Sequence, residues 1–556
     1  MRPDQAMRPD QAMRADPANL PATLAEAVTV AASRWPDRIA WIFDDGDNPG
    51  DSFTFADVER LAGGYALALA ERGVRPGDRV GVMLANEPAF PLTWLALSLA
   101  GAVMVPLNTK YQTADAGHVL RACGASSIVA GTGFLPLLER VAAQAPQVRQ
   151  LVPANEIAAA AEQAPSPGST GLRPPDPAGT ANIQFTSGTT GRPKGCVLSH
   201  RYWTQLGASL VAGFPYLGER DIMLTAQPFA YIDPQWNVAA GLLAGATLVI
   251  LDGFHPSSFW AKVRAHRVTY FYCLGAMPTL LLRMPPDPAD RDHAVRVVQC
   301  SAIPPALHAT LEDRWGVPWY EAFGMTETGS DLKVTDAEHD ELVGTGSLGR
   351  PVDYRRVRIV DADGWPVPAG ERGEITLTGG VMMDGYYGDP EATARVMGRQ
   401  TPAVRSADVS PQSARHDGWF HTGDLGWMDP AGRVYYAGRL KDMIRRSGEN
   451  VAAGEVEEVL LTYQGIRLVA VTGVPDDLRG EEVKAYYVAE SDAVTPADLA
   501  AYCAERLAAF KVPRFWQPAA DLPRTDSERV AKQRLGELAG PVFDLRSGTW
   551  NAGVNG

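Results

Sequence analysis

The sequence predicts an α/β protein in two parts: a large N-terminal region of helix-covered parallel sheets, then a separate small α+β domain. Three observations carry that prediction. At 556 residues the chain exceeds what one hydrophobic core serves, so at least two domains are expected. Short apolar runs alternate with helical stretches over most of the length, the pattern of parallel sheets covered by helices. After about residue 438 a charged turn opens a shorter set of elements. The expected division is a tail over 1–19, a large domain over 20–438, a small domain over 439–540 and a tail over 541–556.

Taken in order, the chain opens on MRPDQA, MRPDQA, MRADPA, a polar, proline-bearing unit without the apolar core of a signal peptide. It reads as a disordered tail, with Met7 and Met13 as alternative initiators. Phe55 to Arg72 repeats apolar residues at helical spacing and stops at Gly73. Strands are expected at Arg79–Leu84, Ala102–Leu107 and Ser127–Ala130. The most apolar window, Leu92 to Leu107, is bounded by Pro91 and Pro106 and is too short to span a bilayer; a buried helix leading into a strand fits it. Residues 153–182 read as a surface connection, and Gly398 to Arg415 as an exposed insertion. A further strand is expected at Val295–Gln299. In the small domain the expectation is a helix at Glu455–Leu461, strands at Leu468–Gly473 and Lys484–Val488, and a helix at Pro496–Leu507.

Hydrophobic content of 46% and charged content of 21% are those of a soluble globular protein. A net charge of −14 argues against nucleic acid as a steady partner, because phosphate backbones need basic surface. Cys123, Cys196, Cys273, Cys300 and Cys503 are scattered and include no CxxC pair, so neither a disulfide framework nor a zinc site is indicated. A cytoplasmic protein without integral membrane association is expected; a homo-oligomer stays open.

Four constellations suit a nucleotide. Thr186-Ser187-Gly188-Thr189-Thr190-Gly191-Arg192-Pro193-Lys194-Gly195 combines three glycines, four hydroxyls and two cations after the apolar Ile183-Gln184-Phe185. Glycines let backbone N–H groups converge on an anion, with hydroxyls and Lys194 as further donors. Gly195 follows the lysine, so this is not the usual P-loop; a flexible linker would need neither Pro193 nor Lys194. Tyr320-Glu321-Ala322-Phe323-Gly324-Met325-Thr326-Glu327 offers a stacking surface and an oxygen ligand for Mg²⁺. Gly418-Trp419-Phe420-His421-Thr422-Gly423-Asp424 places a carboxylate on a glycine turn, suited to both ribose hydroxyls or simply to the turn's own backbone. The run Gly438-Arg439-Leu440-Lys441-Asp442 and on to Asn450 alternates charge, as a solvated domain junction also does.

In order and spacing the four resemble the adenylate-forming superfamily of acyl-CoA synthetases, luciferase and peptide-synthetase adenylation domains, over roughly residues 20 to 540. The resemblance implies a large domain that includes a distorted barrel, with a mobile small domain. It implies that Thr186 to Lys194 holds the β- and γ-phosphates of ATP. Ser301, Ala302 and Ile303, with Glu321, Ala322, Phe323 and Gly324, fall where the family encloses adenine. Thr326 matches the α-phosphate contact, Glu327 the Mg²⁺ ligand, Asp424 and Arg439 the ribose pair, and Lys441 the hinge. Ser447, Gly448 and Glu449 match the turn lining the tunnel for coenzyme A. The implied catalytic set is Thr186, Lys194, Thr326, Glu327 and Arg529.

At Arg529 the sequence departs from the family. Where the pattern usually ends in Gly-Lys, this chain has Glu528-Arg529, and the planar guanidinium is not a conservative replacement for a compact ammonium. Arg529 as substitute, Lys532 in a shifted register, or impaired adenylation are the three readings. The acyl pocket is expected from Tyr231, Asp233, Trp236, Cys273 to Met277 with Gly275, and Met325. Residues 232–235 are similar to crotonobetaine/carnitine-CoA ligases, so Asp233 and Trp236 could take a cationic acid; a medium-sized or aromatic acid is the broader reading. Transfer of the acyl group to a carrier protein or amine, and a weakened nucleotide-binding relative, remain alternatives to a CoA ligase.

Overall fold

The computed structural model describes residues 20–46, 50–164, 175–186, 193–397, 418–446, 449–476, 479–491, 493–525 and 530–551. Gly398 to Arg415 lie outside them. The described chain forms three sheets. The first has thirteen strands. Its central part is parallel, running from Trp319–Met325 through Val297–Ser301, Tyr270–Leu274, Ile222–Thr225 and Thr247–Leu251 to Ile39–Asp44. Beyond Trp319–Met325 the pairing becomes antiparallel through Gly329–Lys333, Ser347–Pro351, Val434–Arg439, Phe420–Met428, Gly373–Thr378 and Arg356–Val360. This antiparallel wing continues the parallel part as one open sheet, without the closing strand pair of the expected distorted barrel among the described residues.

The second sheet has seven strands and the parallel core Val103–Pro106, Arg79–Met83, Ser127–Ala130 and Gln150–Pro153. At its other side Thr180–Thr186 and Lys194–Ser199 form an antiparallel hairpin. Helices pack between the two large sheets, and one buried cluster joins them. In it Trp94 meets Trp203 edge to face at 5.0 Å, and the Trp94 indole donates to the Asn182 amide oxygen at 2.7 Å. The apolar window is the helix Ala89–Leu99, buried from Phe90 to Ser98, leading into Val103–Pro106. The helix Phe55–Glu71 starts on a capping box between Thr54 and Asp57, and Gly73 follows it at φ 88°.

Some expectations change. The stretch from residue 153 is not only a surface connection, because Ala154–Glu162 is a helix with Ala154, Ile157 and Ala161 buried. Alanine is the best helix former, and Gly64 lets this helix close on Phe55–Glu71: a Cβ there would stand 2.6 Å from the Ala161 carbonyl. The small domain also continues past residue 540. Its sheet takes in Met443–Arg446, Glu449–Ala452, Ile466–Asp476, Gly480–Ala489 and Phe515–Pro518, then adds Val542–Asp544 and Thr549–Asn551. Helices Ala453–Leu461 and Pro496–Ala504 contribute Val456, Leu460, Leu499 and Cys503 to its core around Trp516. The helix ends at Ala504, three residues short of the expected Leu507.

Candidate active site

The hairpin that carries the glycine-rich run pairs Thr186 with Lys194, so the run begins and ends at one point of the sheet. Ser187, Gly188, Thr189, Thr190 and Gly191 lie outside the described residues. Gly195 is required by packing, since a Cβ there would sit 2.6 Å from Ile183 Cγ2. Thr186 and Lys194 line a cavity of about 1430 Å³ that also takes in residues from the first sheet and the small domain.

The Trp319–Met325 strand delivers the next group. Ala322, Phe323, Gly324, Met325, Thr326 and Glu327 all line the cavity. Gly324 permits the sharp return into Gly329–Lys333, because a Cβ on it would lie 2.1 Å from the Gly329 carbonyl. The Tyr202 hydroxyl donates to the Thr326 carbonyl at 2.9 Å. Glu327 is largely buried, and its Oε1 accepts from the Tyr386 hydroxyl at 3.0 Å. The Lys194 ammonium stands 5.2 Å from the centre of the Tyr386 ring. Burial, then the Glu327 charge, pushes the Tyr386 phenol far above its usual value, so it stays a donor to that carboxylate.

Asp424 and Arg439 are cross-strand partners, and the guanidinium Nε meets Oδ1 at 2.6 Å. Asp424 is wholly buried, beneath cavity-lining Arg439, Thr422 and Gly423. Burial opposes the Arg439 charge, but Asp424, Tyr436 and Glu327 together raise its pKa. Glu374 braces the turn by accepting from Gly423 N at 3.0 Å and binding His421 Nδ1 at 2.8 Å.

The expected adenine cradle divides. Ser301 lines the cavity; its hydroxyl donates to the Ala322 carbonyl and joins the Tyr272 hydroxyl, each at 2.5 Å. Ala302, Ile303 and Glu321 do not line it. The Glu321 carboxylate instead accepts from Ala302 N at 2.6 Å and Ile303 N at 2.8 Å, holding Ala302 at φ 67°. Burial pushes that carboxyl up to about 8, against the pull of the two N–H groups. Glu321 is therefore a brace for the turn.

Tyr231, Asp233, Trp236 and Met325 line the cavity, and Trp236 meets Tyr272 edge to face at 5.3 Å. Gly275 does not; it turns the chain at φ 58°, and its neighbours Leu274 and Met277 provide the wall. From the small domain Arg524, Thr525, Ala531, Gln533 and Arg534 reach the same cavity. Arg529, Ser447 and Gly448 lie outside the described residues. Lys441 falls in the 3₁₀ turn Leu440–Asp442, and Glu449 begins the strand Glu449–Ala452. Lys532, the alternative to Arg529, is engaged elsewhere: its ammonium meets Glu457 at 2.7 Å and Asp442 at 3.5 Å. Tyr202, Tyr272 and Tyr386 went unread in the sequence, since each reaches the site from a remote segment and lies in no motif.

One cavity thus gathers the two ends of the glycine-rich run, a buried carboxylate and a paired arginine from three distant segments. A profile of AMP-binding enzymes matches residues 28–387, and that of the AMP-binding enzyme C-terminal domain matches 455–529. The chain belongs to the AMP-binding enzyme family. Within it, the chain is an AMP-forming acyl-CoA synthetase, an acid–thiol ligase. It is 31% identical over 527 residues to the crotonobetaine/carnitine–CoA ligase of Salmonella paratyphi A, covering 91% of this chain and 97% of that one. The ATP-bound MatB structure from Rhodopseudomonas palustris superposes with a TM-score of 0.80 at 25% identity, covering 92% and 98% of the two chains. The Bacillus subtilis o-succinylbenzoate CoA synthetase with its acyl-adenylate gives 0.75 at 26%, covering 92% and 97%. Among the described residues no helix is long and apolar enough to cross a membrane.

Proposed function

We propose that the protein is an ATP-dependent carboxylate–CoA ligase for an acid of medium size or with an aromatic body. The observation that carries the reading is the single cavity shared by Lys194, Thr326, Glu327 and Arg439, with Asp424 behind the arginine. A carboxylate oxygen attacks the α-phosphorus of ATP in line, the bond to the bridging oxygen breaks, and pyrophosphate leaves with an acyl-adenylate formed. A thiol then attacks the acyl carbon, and AMP departs as the thioester forms. Catalysis of this kind is chiefly positioning and electrostatic stabilisation. Lys194 and the hairpin hold the outer phosphates, Thr326 the α-phosphate, and the Asp424–Arg439 pair the ribose.

Glu327 suits Mg²⁺: Tyr386 occupies one side of Oε1, and phosphate oxygens and water would complete an oxygen shell around a single carboxylate. Bound there, the ion supplies positive charge against the phosphates. Arg529 takes the place of the family's lysine, a reading supported by the engagement of Lys532 with Glu457 and Asp442. The walls given by Tyr231, Trp236, Tyr272, Phe323 and Met325 suit a body of ring or short-chain size.

The test is pyrophosphate exchange over a panel of aryl, alkyl and trimethylammonio acids, repeated with CoA. Exchange with a subset of acids and thioester formation with free CoA is expected. Exchange without thioester would point to a carrier protein or amine as acceptor, and ATP binding without exchange would sink the reading.

A further inference from the structure

Lys333 is the last residue of Gly329–Lys333 and lines the same cavity, yet no motif includes it. It is only 5% exposed. Its ammonium donates to the Ser209 carbonyl at 3.0 Å and the Phe214 carbonyl at 2.9 Å, around the end of the helix His200–Val211. Those two bonds use two of three N–H donors. Among the described residues no carboxylate lies within ion-pair distance of it, and Asp353 favours its charge only through space. Capping a helix end does not account for this burial, because a surface lysine can do so with its ammonium in water. An ammonium taken out of water and paired only with neutral carbonyls is costly, and such groups are retained where an anion meets them. Burial accordingly pulls its pKa down to about 8.

We propose that Lys333 makes the buried end of the acyl pocket a subsite for a second anionic group, so that the preferred acid carries an additional carboxylate or equivalent anion. This rests on the carboxylate–CoA ligase reading and names its substrate class. Gly329 pairs with Met325, next to Thr326, where the reacting carboxylate belongs. Lys333 lies four residues further along that strand, roughly 13 Å at about 3.3 Å per residue. The acid therefore has a ring or short alkyl body between its anionic groups, flanked by Leu210, Tyr272 and Phe323. A trimethylammonio group would be repelled at this end. Asp233 lines the same cavity.

The test compares matched acids in pyrophosphate exchange with the full-length protein: benzoate with 4-carboxybenzoate, hexanoate with adipate, and 4-trimethylammoniobutanoate. The expected result is a kcat/KM at least tenfold higher for each diacid than for its monoacid, and a diacid-to-monoacid ratio lowered at least tenfold in Lys333→Met. Preference for the monoacids or the trimethylammonio acid overturns the subsite, as does a ratio that Lys333→Met leaves in place. Should that variant not fold, Lys333→Gln retains a donor for the carbonyls, and the wild-type ratio decides without any variant. Exchange with no acid at all refutes the ligase reading; exchange without diacid preference refutes the Lys333 subsite alone.

Discussion

Asp424 and Arg439 face each other across two antiparallel strands, and the buried carboxylate holds the guanidinium at the cavity wall. Removing one partner of a buried pair leaves the other uncompensated. Asp424→Ala is therefore expected to raise KM for ATP at least tenfold in pyrophosphate exchange, and an unchanged KM would remove the pair from ribose binding. Arg529→Ala is expected to lower exchange by about 10²-fold, the scale of losing one stabilising donor. Arg529→Lys should keep much of the activity; unchanged exchange in the alanine variant would remove Arg529 from the mechanism. At this scale the legible residues were those in runs of unusual composition, such as Thr186 to Lys194 and the glycine turn before Asp424. Tyr386, Tyr202 and Lys333 were not legible, because a lone tyrosine or lysine in a strand or helix carries no local signal of what it will face. Glu321 looked like part of a ligand motif and is a brace, since which way a carboxylate turns depends on the N–H groups a distant loop presents.

Elements behind the site depend on buried charge. Asp331 and Arg355, both wholly buried, meet at 2.8 Å, and Arg355 also donates to the Thr328 carbonyl at 2.6 Å, fixing the turn after Glu327. Burial pushes the Asp331 carboxyl up to about 7, against the pull of Arg355 and the Thr328 hydroxyl. Arg355→Met strips the carboxylate of its partner and is expected to destabilise the fold by about 3–5 kcal/mol, measured by denaturant unfolding. On the helix Pro305–Trp315, Glu312 accepts from His339 Nε2 at 2.6 Å and from Trp319 N at 2.7 Å, with His308 on the same carboxylate and Asp340 on the far side of His339. Burial works against the Glu312 charge, but the two histidines hold its pKa down at about 2; burial likewise opposes His339, which Glu312 nonetheless raises. The lowered carboxylate stabilises fully above its unfolded value near 4.5 and loses this as pH falls toward about 2. The raised imidazole stabilises fully below about 6.5 and loses this as pH rises through its folded value. Glu312→Gln is therefore expected to lose most stability between about pH 4.5 and 6.5 and less on either side, a difference read from denaturation midpoints across that range.

For the whole molecule the turn Leu440–Asp442 matters most, because it joins Val434–Arg439 of the first sheet to Met443–Arg446 of the third. We propose that the small domain turns about Lys441 between the two half-reactions, as the need first to enclose an adenylate and then to admit a thiol requires. Lys441→Pro limits backbone rotation there. It is expected to retain pyrophosphate exchange while thioester formation falls at least tenfold; equal losses in both would place the hinge elsewhere.

By itself the sequence determined the α/β class, the separate small domain and the nucleotide motifs, because alternating apolar periods and glycine-rich runs are local properties that few other structures tolerate. It did not show that Ala154–Glu162 would bury a helix face or that strands beyond residue 540 would extend the small sheet, since both depend on surfaces supplied from far along the chain. Only the tertiary structure decided which side chains share the cavity. It set Tyr386 on Glu327, drew Lys532 away to Glu457 and buried Lys333 in the cavity wall. Burial and partnership are created when distant segments pack, and they turn an ordinary lysine into a determinant of substrate.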